Sequence, residues 1–173
     1  GAAAPLMRQD VQLVVQGSGD PALMAQLKEL ATKMPDKVAW RSEWDDPLAH
    51  RIFAGSDFFL IPSRFEPCGL TQMYAMRYGS VPIVRATGGL RDTVVDCDSE
   101  LTSGTGFVFD GIDSDELYNA VARALIAWQR RTAFPKLVRR VMRADWSWER
   151  SARRYQSLYE SLLPVEESAA PAV

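Results

Sequence analysis

The chain has 173 residues, of which 47% are hydrophobic and 24% are charged, as expected for one folded globular domain with a buried core. Its 20 basic and 22 acidic residues leave a formal net charge of −2, so the charge balance predicts neither nucleic acid nor an anionic membrane as a partner. No apolar stretch is long enough to span a membrane, and no signal-peptide pattern opens the chain. The two cysteines, Cys68 and Cys97, lack metal-ligand spacing and indicate a reducing compartment, and a single histidine makes a His-based metal site a poor hypothesis.

The first third of the chain predicts two strand–helix pairs. A buried strand over 11–15 runs into a turn formed by Gly17, Ser18, Gly19 and Asp20, with Asp20 placed to cap a helix that begins at Pro21. A second strand is predicted over 38–40. A polar turn around Trp44 follows it and leads into a helix over 47–54.

The stretch 58–72 organises the rest of the sequence. Phe58 to Ile61 is an apolar run typical of a strand covered on both faces, and Pro62 ends it because proline has no N–H to donate. A tight loop through Gly69 then opens a helix over 70–78, for which Gly79 is the stop signal.

The last part of the chain predicts two more strands and four more helical segments. The strands are 81–84, where Pro82 indicates an edge or an irregular ladder, and 106–109. A loop with Thr87, Gly88 and Gly89 and a short helical segment through Val95 follow the first of them. A mobile polar connection is expected over 97–104, longer helices are predicted over 113–128, 134–142 and from 147 onward, and 164–173 is expected to be a disordered tail.

The alternation of strands and helices through short connections defines the fold class. It predicts an α/β protein with a Rossmann-like open parallel sheet and helices on both faces. No internal repeat and no interdomain linker is visible, so residues 1–163 are expected to form one domain.

The loop after the third predicted strand indicates a ligand site. A helix that starts at the carboxyl end of a buried strand offers free N–H groups to an anion, most often a phosphate. Glu66 lies just upstream of those donors and would serve another part of the ligand, either hydroxyl groups or a developing positive charge. N–H groups that can bind a phosphate, together with a nearby carboxylate, favour sugar transfer from a nucleotide sugar as the leading hypothesis.

Several motifs together resemble the bacterial glycogen synthases and plant starch synthases. They are the runs Ser63-Arg64-Phe65-Glu66-Pro67-Cys68-Gly69-Leu70-Thr71-Gln72, Tyr78-Gly79-Ser80-Val81-Pro82 and Thr87-Gly88-Gly89-Leu90, with Gly17-Ser18-Gly19-Asp20-Pro21 and Trp146-Ser147-Trp148. That family has two Rossmann-like domains in the GT-B arrangement. The resemblance implies that residues 1–163 are the carboxyl-terminal nucleotide-sugar-binding domain without its first strand, and that two basic diphosphate-binding residues lie upstream of the match.

The resemblance also implies functions for individual residues. Glu66 corresponds to the family's glutamate that contacts the donor glucose near the reacting carbon. The amides of Gly69, Leu70 and Thr71, with the Thr71 hydroxyl, correspond to the diphosphate site. The remaining implied positions are Trp44 stacked on the adenine, Gly17, Gly19 and Asp20 near the nucleotide, and Cys68, Thr87, Gly88 and Gly89 near the sugar. Relatives with two glutamates eight residues apart would have a second one at position 74, where this chain has Tyr74 as is usual in the glycogen synthases.

The implied reaction transfers glucose from ADP-glucose to an α-1,4-glucan with retention at the anomeric carbon, without a metal or other cofactor. The glucan would bind through an amino-terminal domain outside this sequence, so the chain alone is expected to bind ADP-glucose weakly and to transfer nothing. The implied location is cytoplasmic in a bacterium or plastidial in a plant.

Three alternatives stay open on sequence alone. Gly17-x-Gly19-x-x-Ala22 followed by Glu43 is compatible with a nicotinamide-binding Rossmann domain. A non-catalytic nucleotide- or glucan-binding module and a related transferase that uses UDP-glucose or another hexose are the others.

Overall fold

The computed structural model describes residues 3–163, and these form parallel strands alternating with α-helices. The strands are β1 (Leu13–Gln16), β2 (Val38–Arg41), β3 (Phe58–Ile61), β4 (Val81–Arg85) and β5 (Phe107–Phe109). The helices are α1 (Ala3–Leu6), α2 (Pro21–Lys33), α3 (Asp46–Gly55), α4 (Thr71–Tyr78), α5 (Gly89–Thr93), α6 (Ser114–Trp128), α7 (Phe134–Met142) and α8 (Trp148–Leu162). The predicted α/β class is confirmed. The expected tail 164–173 lies outside the described residues.

The strands pair in two parallel sheets rather than in the one continuous sheet that the sequence predicted. β1 pairs with β2, and β3, β4 and β5 form a three-stranded sheet in that order. Within residues 3–163 no strand pairs with the second edge of β1 or of β3, so no ladder connects the two sheets. Since parallel strands end at the same edge, the loops after β3, β4 and β5 lie side by side.

Of the two explanations predicted for Pro82, an edge or an irregular ladder, the edge is wrong, because β4 is the central strand of its sheet. The N–H of Val81 points towards β3, where it donates to the carbonyl of Asp57. The nitrogen of Pro82 therefore faces β5. The β4–β5 ladder begins one residue later, at the Ile83–Phe107 pair, so no ladder hydrogen bond is lost at the proline.

A compact apolar cluster lies under the carboxyl half of the three-stranded sheet. Ile61, Val84, Leu90 and Val94 are buried together there, with Phe59 and Val108 packed against them. Ile61 and Val84 are neighbours on adjacent strands, and Leu90 and Val94 come from the segment after β4. The cluster thus fixes the end of β3 and the start of α5 relative to each other.

The connection over 97–104, which was expected to be mobile, is instead held by two charged side chains. The Asp98 carboxylate accepts hydrogen bonds from the backbone N–H groups of Glu100, Thr102 and Ser103 and from both hydroxyl groups of Thr102 and Ser103. The Arg140 guanidinium donates to the carbonyls of Leu101 to Gly104. The Ser103 and Thr102 donors hold the pKa of Asp98 well below its usual range.

Residues 3–143 belong to one compact unit, and a second unit begins at Ala144 and contains α8. In the second unit the Ser147 hydroxyl accepts from the N–H of Arg150 and caps α8, the helix that the sequence predicted from 147 onward. The Arg150 guanidinium carbon lies 5.1 Å from the centre of the Trp146 ring, which is cation–π geometry.

Candidate functional site

The start of α4 lacks the side-chain cap that α2, α3 and α6 have. The carboxylates of Asp20, Asp45 and Asp113 accept backbone N–H groups at the first turns of α2, α3 and α6. The residue that precedes α4 is Leu70, and its side chain makes no capping hydrogen bond. The N–H groups in the first turn of α4 are therefore not bound by a capping side chain.

The chain at this helix start lies at the surface as far as Thr71, whereas Gln72 is fully buried. The N–H groups of Gly69, Leu70, Thr71 and Gln72 donate to no acceptor within residues 3–163. Leu70 is 52% exposed and Thr71 is exposed. Gly69 has φ of +71°, a left-handed conformation that turns the chain from the loop into the helix. The unpartnered amides of Gly69, Leu70 and Thr71, at the positive end of a helix, are a binding geometry for an anionic group.

Glu66 lies half-buried in the loop that leads to these amides. Its backbone carbonyl accepts a hydrogen bond from the N–H of Gly89, with 3.2 Å between nitrogen and oxygen. Its carboxylate makes no hydrogen bond and no ion pair with any residue in the described part of the chain. The backbone of Glu66 is thus fixed by the fold, while its acid group is available to a ligand.

The turn of Thr87, Gly88 and Gly89 packs directly on the Glu66 loop. A Cβ atom on Gly88 would overlap the carbonyl oxygen of Glu66, and one on Gly89 would overlap that of Cys68. Gly88 also has φ of +46°. Both glycines are therefore required by the close approach of two backbone segments, and the structure places Gly88 and Gly89 beside Glu66 and Cys68, with Thr87 directly before them in the chain.

Arg85 connects the loops that follow β3 and β5. Its guanidinium donates to the carbonyls of Arg64 at 2.9 Å and Asp110 at 2.9 Å, with a longer contact of 3.5 Å to Ser63. Because the guanidinium group is planar and rigid, its hydrogen bonds hold the segment just before Glu66 in a fixed position relative to the end of β5. Sequence reasoning did not predict this connection, because the carbonyls that Arg85 contacts lie more than 20 residues away along the chain.

Two further residues missed by sequence reasoning are Gln72 and Thr93. The Gln72 side chain is fully buried, and its Nε2 atom lies 2.8 Å from the Gly69 carbonyl oxygen and 2.9 Å from Thr93 Oγ1. Gln72 stood in the family motif, but a glutamine in the first turn of a helix is usually solvated, and no sequence signal linked it to a threonine 21 residues later.

The other predicted site residues form a second group at the carboxyl ends of β1 and β2. Trp44 is 73% exposed in the turn between β2 and α3. Gln16, at the end of β1, donates from Nε2 to the carbonyls of Glu43 and Asp45 on either side of that tryptophan. The strand end therefore holds the turn while the indole ring stays open to solvent.

The Gly17 to Asp20 turn lies next to this tryptophan turn. Gly17 donates its N–H to the carbonyl of Arg41 and accepts from the Trp40 indole through its own carbonyl. Its φ is +140°. Asp20 uses its carboxylate to cap α2 at the N–H groups of Ala22 and Leu23. No hydrogen bond within residues 3–163 connects this second group to the Glu66 group.

The two thiols have different environments. Cys68 is exposed beside the α4 amides, whereas Cys97 is buried, and burial raises the pKa of the Cys97 thiol. Within 3–163 no three His, Cys, Asp or Glu side chains converge in a way that could hold a metal ion. None of the helices over the same residues is both long and apolar enough to cross a bilayer.

Comparison with known proteins gives the family. Residues 2–140 match the model of the glycosyl transferases group 1. The chain is 54% identical over 164 residues to a glycogen synthase of Anaeromyxobacter sp. strain K, covering 94% of this chain and 34% of that protein. It is 44% identical over 162 residues to the glycogen synthase of Geobacillus stearothermophilus, covering 94% and 33%.

A solved structure is similar along nearly the same length. The catalytic domain of starch synthase IV from Arabidopsis thaliana, bound to ADP and acarbose, superposes with a TM-score of 0.81 at 39% identity, covering 92% of this chain and 34% of that one. This chain thus spans about one third of the length of the relatives that it matches. Since the family model covers most of the sequence and the fold agrees with it, the chain belongs to the group 1 glycosyltransferases.

Proposed function

We propose that this chain is the donor-binding part of a glucosyltransferase that elongates an α-1,4-glucan with glucose from ADP-glucose. The observation that supports it most is the uncapped start of α4, where the unpartnered amides of Gly69 to Thr71 closely follow Glu66 in the same loop, and the Glu66 carboxylate has no partner among the described residues. The similarity to glycogen synthases and to a starch synthase that binds ADP and acarbose favours this donor over other nucleotide sugars.

The chemistry divides between the two features. The amides of Gly69, Leu70 and Thr71 would donate hydrogen bonds to the diphosphate of the sugar donor. They would thereby stabilise the negative charge that grows on it as the glycosidic bond breaks. The carboxylate of Glu66 would face the glucose and favour the positive charge that develops at the anomeric carbon. Retention of configuration at that carbon belongs to the proposal on grounds of family resemblance alone.

The second group of residues would hold the nucleoside. The exposed Trp44 ring offers a flat apolar surface to the adenine, and the Gly17 to Asp20 turn lies at the neighbouring strand end. The proposal requires both groups to touch one ligand. The rival nicotinamide-binding interpretation uses only the second group and leaves the α4 amides and Glu66 without a function.

Calorimetric titration of the chain with ADP-glucose, UDP-glucose and NAD tests the proposal. We expect saturable binding of ADP-glucose, weaker binding of UDP-glucose and none of NAD. Glucan elongation is expected only from a protein that also has the acceptor-binding domain. Binding of NAD without ADP-glucose would reject the proposal, and glucan elongation by these 173 residues alone would reject the division of labour between domains.

A further inference from the structure

The buried side chain of Gln72 links the candidate phosphate site to α5. Both hydrogens of its Nε2 are used, one on the Gly69 carbonyl at 2.8 Å and one on Thr93 Oγ1 at 2.9 Å. The Thr93 hydroxyl in turn donates to the Gly89 carbonyl at 2.6 Å. Three consecutive hydrogen bonds therefore run from the turn before α4, through Gln72 and Thr93, to the glycine that contacts Glu66 and Cys68.

The bond to the Gly69 carbonyl determines where the next amide points. The Gly69 carbonyl and the Leu70 N–H belong to one peptide plane, and all described peptide bonds are trans, so the two groups point in opposite directions. Glycine at φ of +71° offers little resistance to rotation of that plane. With the carbonyl held on the inner side by Gln72, the Leu70 N–H is directed away from it, where no acceptor among residues 3–163 takes it.

The unpaired atom of the same side chain supports this interpretation. Gln72 Oε1 is buried and has no hydrogen-bond partner in the described structure. A buried acceptor without a donor is destabilising, and an apolar side chain of similar length would avoid that cost. Packing therefore does not explain why a glutamine side chain occupies this position. The two hydrogen bonds that Gln72 Nε2 donates do explain it.

We propose that Gln72, supported by Thr93, is a positioning residue that aims the Leu70 amide at the phosphate of the bound nucleotide. This inference rests on the proposed function for its ligand, but it names a residue pair that need not touch the ligand at all. It predicts that loss of either bond frees the peptide plane before any ligand binds, and weakens phosphate binding as a consequence.

The test compares two isosteric variants with a rescue. Thr93→Val removes the hydroxyl and keeps the shape, Thr93→Ser keeps the hydroxyl, and Gln72→Met keeps the length of the side chain without its donors. Val141→Ala, in the core of α7, controls for lost stability because it is 1% exposed and forms no part of the site. Each is prepared as the 173-residue chain.

The first readout needs no ligand and is the ¹⁵N order parameter of the Leu70 amide. We expect about 0.85 in the wild type, Thr93→Ser and Val141→Ala, and below about 0.6 in Thr93→Val and Gln72→Met. The second readout is the dissociation constant for ADP. We expect it to rise roughly three- to tenfold in the same two variants only, as the value of one net hydrogen bond allows.

The two readouts separate the two hypotheses. If the wild type binds no ADP, the proposed function is wrong, and the order parameters alone decide about Gln72. A rigid Leu70 amide in folded Thr93→Val and Gln72→Met would overturn the inference, and so would a mobile amide with unchanged ADP affinity. If one of the two variants does not fold, the other decides, because both remove the Gln72–Thr93 bond and each is expected to free the Leu70 amide.

Discussion

The backbone N–H of Gly89 donates to the carbonyl oxygen of Glu66, and there is no room between the two segments for a side chain on either Gly88 or Gly89. This direct backbone contact positions the loop that carries the candidate acid, in addition to the hydrogen bonds that the Arg85 guanidinium donates to it. Close backbone approach of this kind fixes geometry at low conformational cost, because neither segment has a rotamer to select. The conformation of the Glu66 loop should consequently depend on residues that carry no functional group.

Replacement of Gly89 by alanine tests this dependence. The new Cβ would overlap the Cys68 carbonyl, so the two loops must separate. We expect a loss of about 1–3 kcal/mol in the free energy of unfolding, as for other overpacked sites. ADP-glucose affinity should fall by about tenfold or more, since one lost contact of about 1.4 kcal/mol suffices for that factor. Thermal unfolding and calorimetry measure the two effects.

Gly55→Ala is the matched control for that substitution. Gly55 is the last residue of α3, and a Cβ there meets nothing within 4 Å. Alanine in a helix is favoured over glycine by about 0.5–1 kcal/mol, so this variant should be slightly more stable and bind donor like the wild type. Equal donor affinity of Gly89→Ala and Gly55→Ala would show that the close approach has no bearing on the site.

Trp44→Ala tests the nucleoside half of the site. The ring is 73% exposed, so its removal should change the melting temperature little. Stacking of a base on an aromatic ring contributes about 1–3 kcal/mol, which corresponds to a roughly 5- to 150-fold rise in the dissociation constant for ADP. Trp128→Ala, on the half-exposed end of α6, is the control for general effects of a lost indole. The stacking hypothesis fails if both variants bind ADP with wild-type affinity.

Local patterns predicted the elements around the site correctly. The bounds of β3 and α7 agree with the structure, and Gly79 ends α4 in a left-handed conformation with φ of +88°. Asp20 caps the helix for which it was predicted, and Asp113 caps α6 at the start of the helix predicted over 113–128. These features depend on residues within one turn or one strand of each other, which is the range over which propensity, capping and periodicity act.

The failures of prediction all involve partners distant in sequence. Pro82 is tolerated in a central strand because of where β5 begins, and the 97–104 segment is ordered because Arg140 reaches it from α7. The importance of Gln72 likewise depends on Thr93. The Pro82 and Gln72 outcomes are decided by tertiary contact, of which the neighbouring chain contains no trace. The 97–104 segment combines the distant Arg140 with local bonds from Asp98 to Thr102 and Ser103.

The Asp98 carboxylate predicts a specific dependence of stability on pH. Its pKa is lowered in the folded state, chiefly by the Ser103 and Thr102 donors, so the ionised group stabilises the fold above its unfolded pKa of about 3.9. That contribution is lost as the pH falls towards the lower folded pKa. We therefore expect Asp98→Asn to be less stable than the wild type at pH 7, with a difference that shrinks below about pH 4.

Urea unfolding across that pH range measures the effect. Asp57→Asn changes an exposed carboxylate and serves as the control, with wild-type stability expected at pH 7. A gap between Asp98→Asn and the wild type that stays constant from pH 7 to pH 3 would contradict an ionised, hydrogen-bonded Asp98. The ADP affinity of both variants should stay unchanged, because the loop of Asp98 precedes β5 and the candidate site follows β3 and β4.

Glu66→Gln separates the proposed chemistry from binding. The carboxylate has no partner among the described residues, so its replacement by the isosteric amide should leave folding intact. The diphosphate would still bind the α4 amides. We therefore expect the dissociation constant for ADP to change by less than about threefold. In a protein that also has the acceptor-binding domain, the turnover number should fall by about 10²–10³, the usual loss when one charge-stabilising group is removed from a transition state.

The control is Glu100→Gln, at the opposite edge of the sheet, which breaks an ion pair with Arg130 and should leave turnover unchanged. If Glu66→Gln turns over like the wild type, or loses affinity and turnover by the same factor, the carboxylate does not act on the reacting sugar.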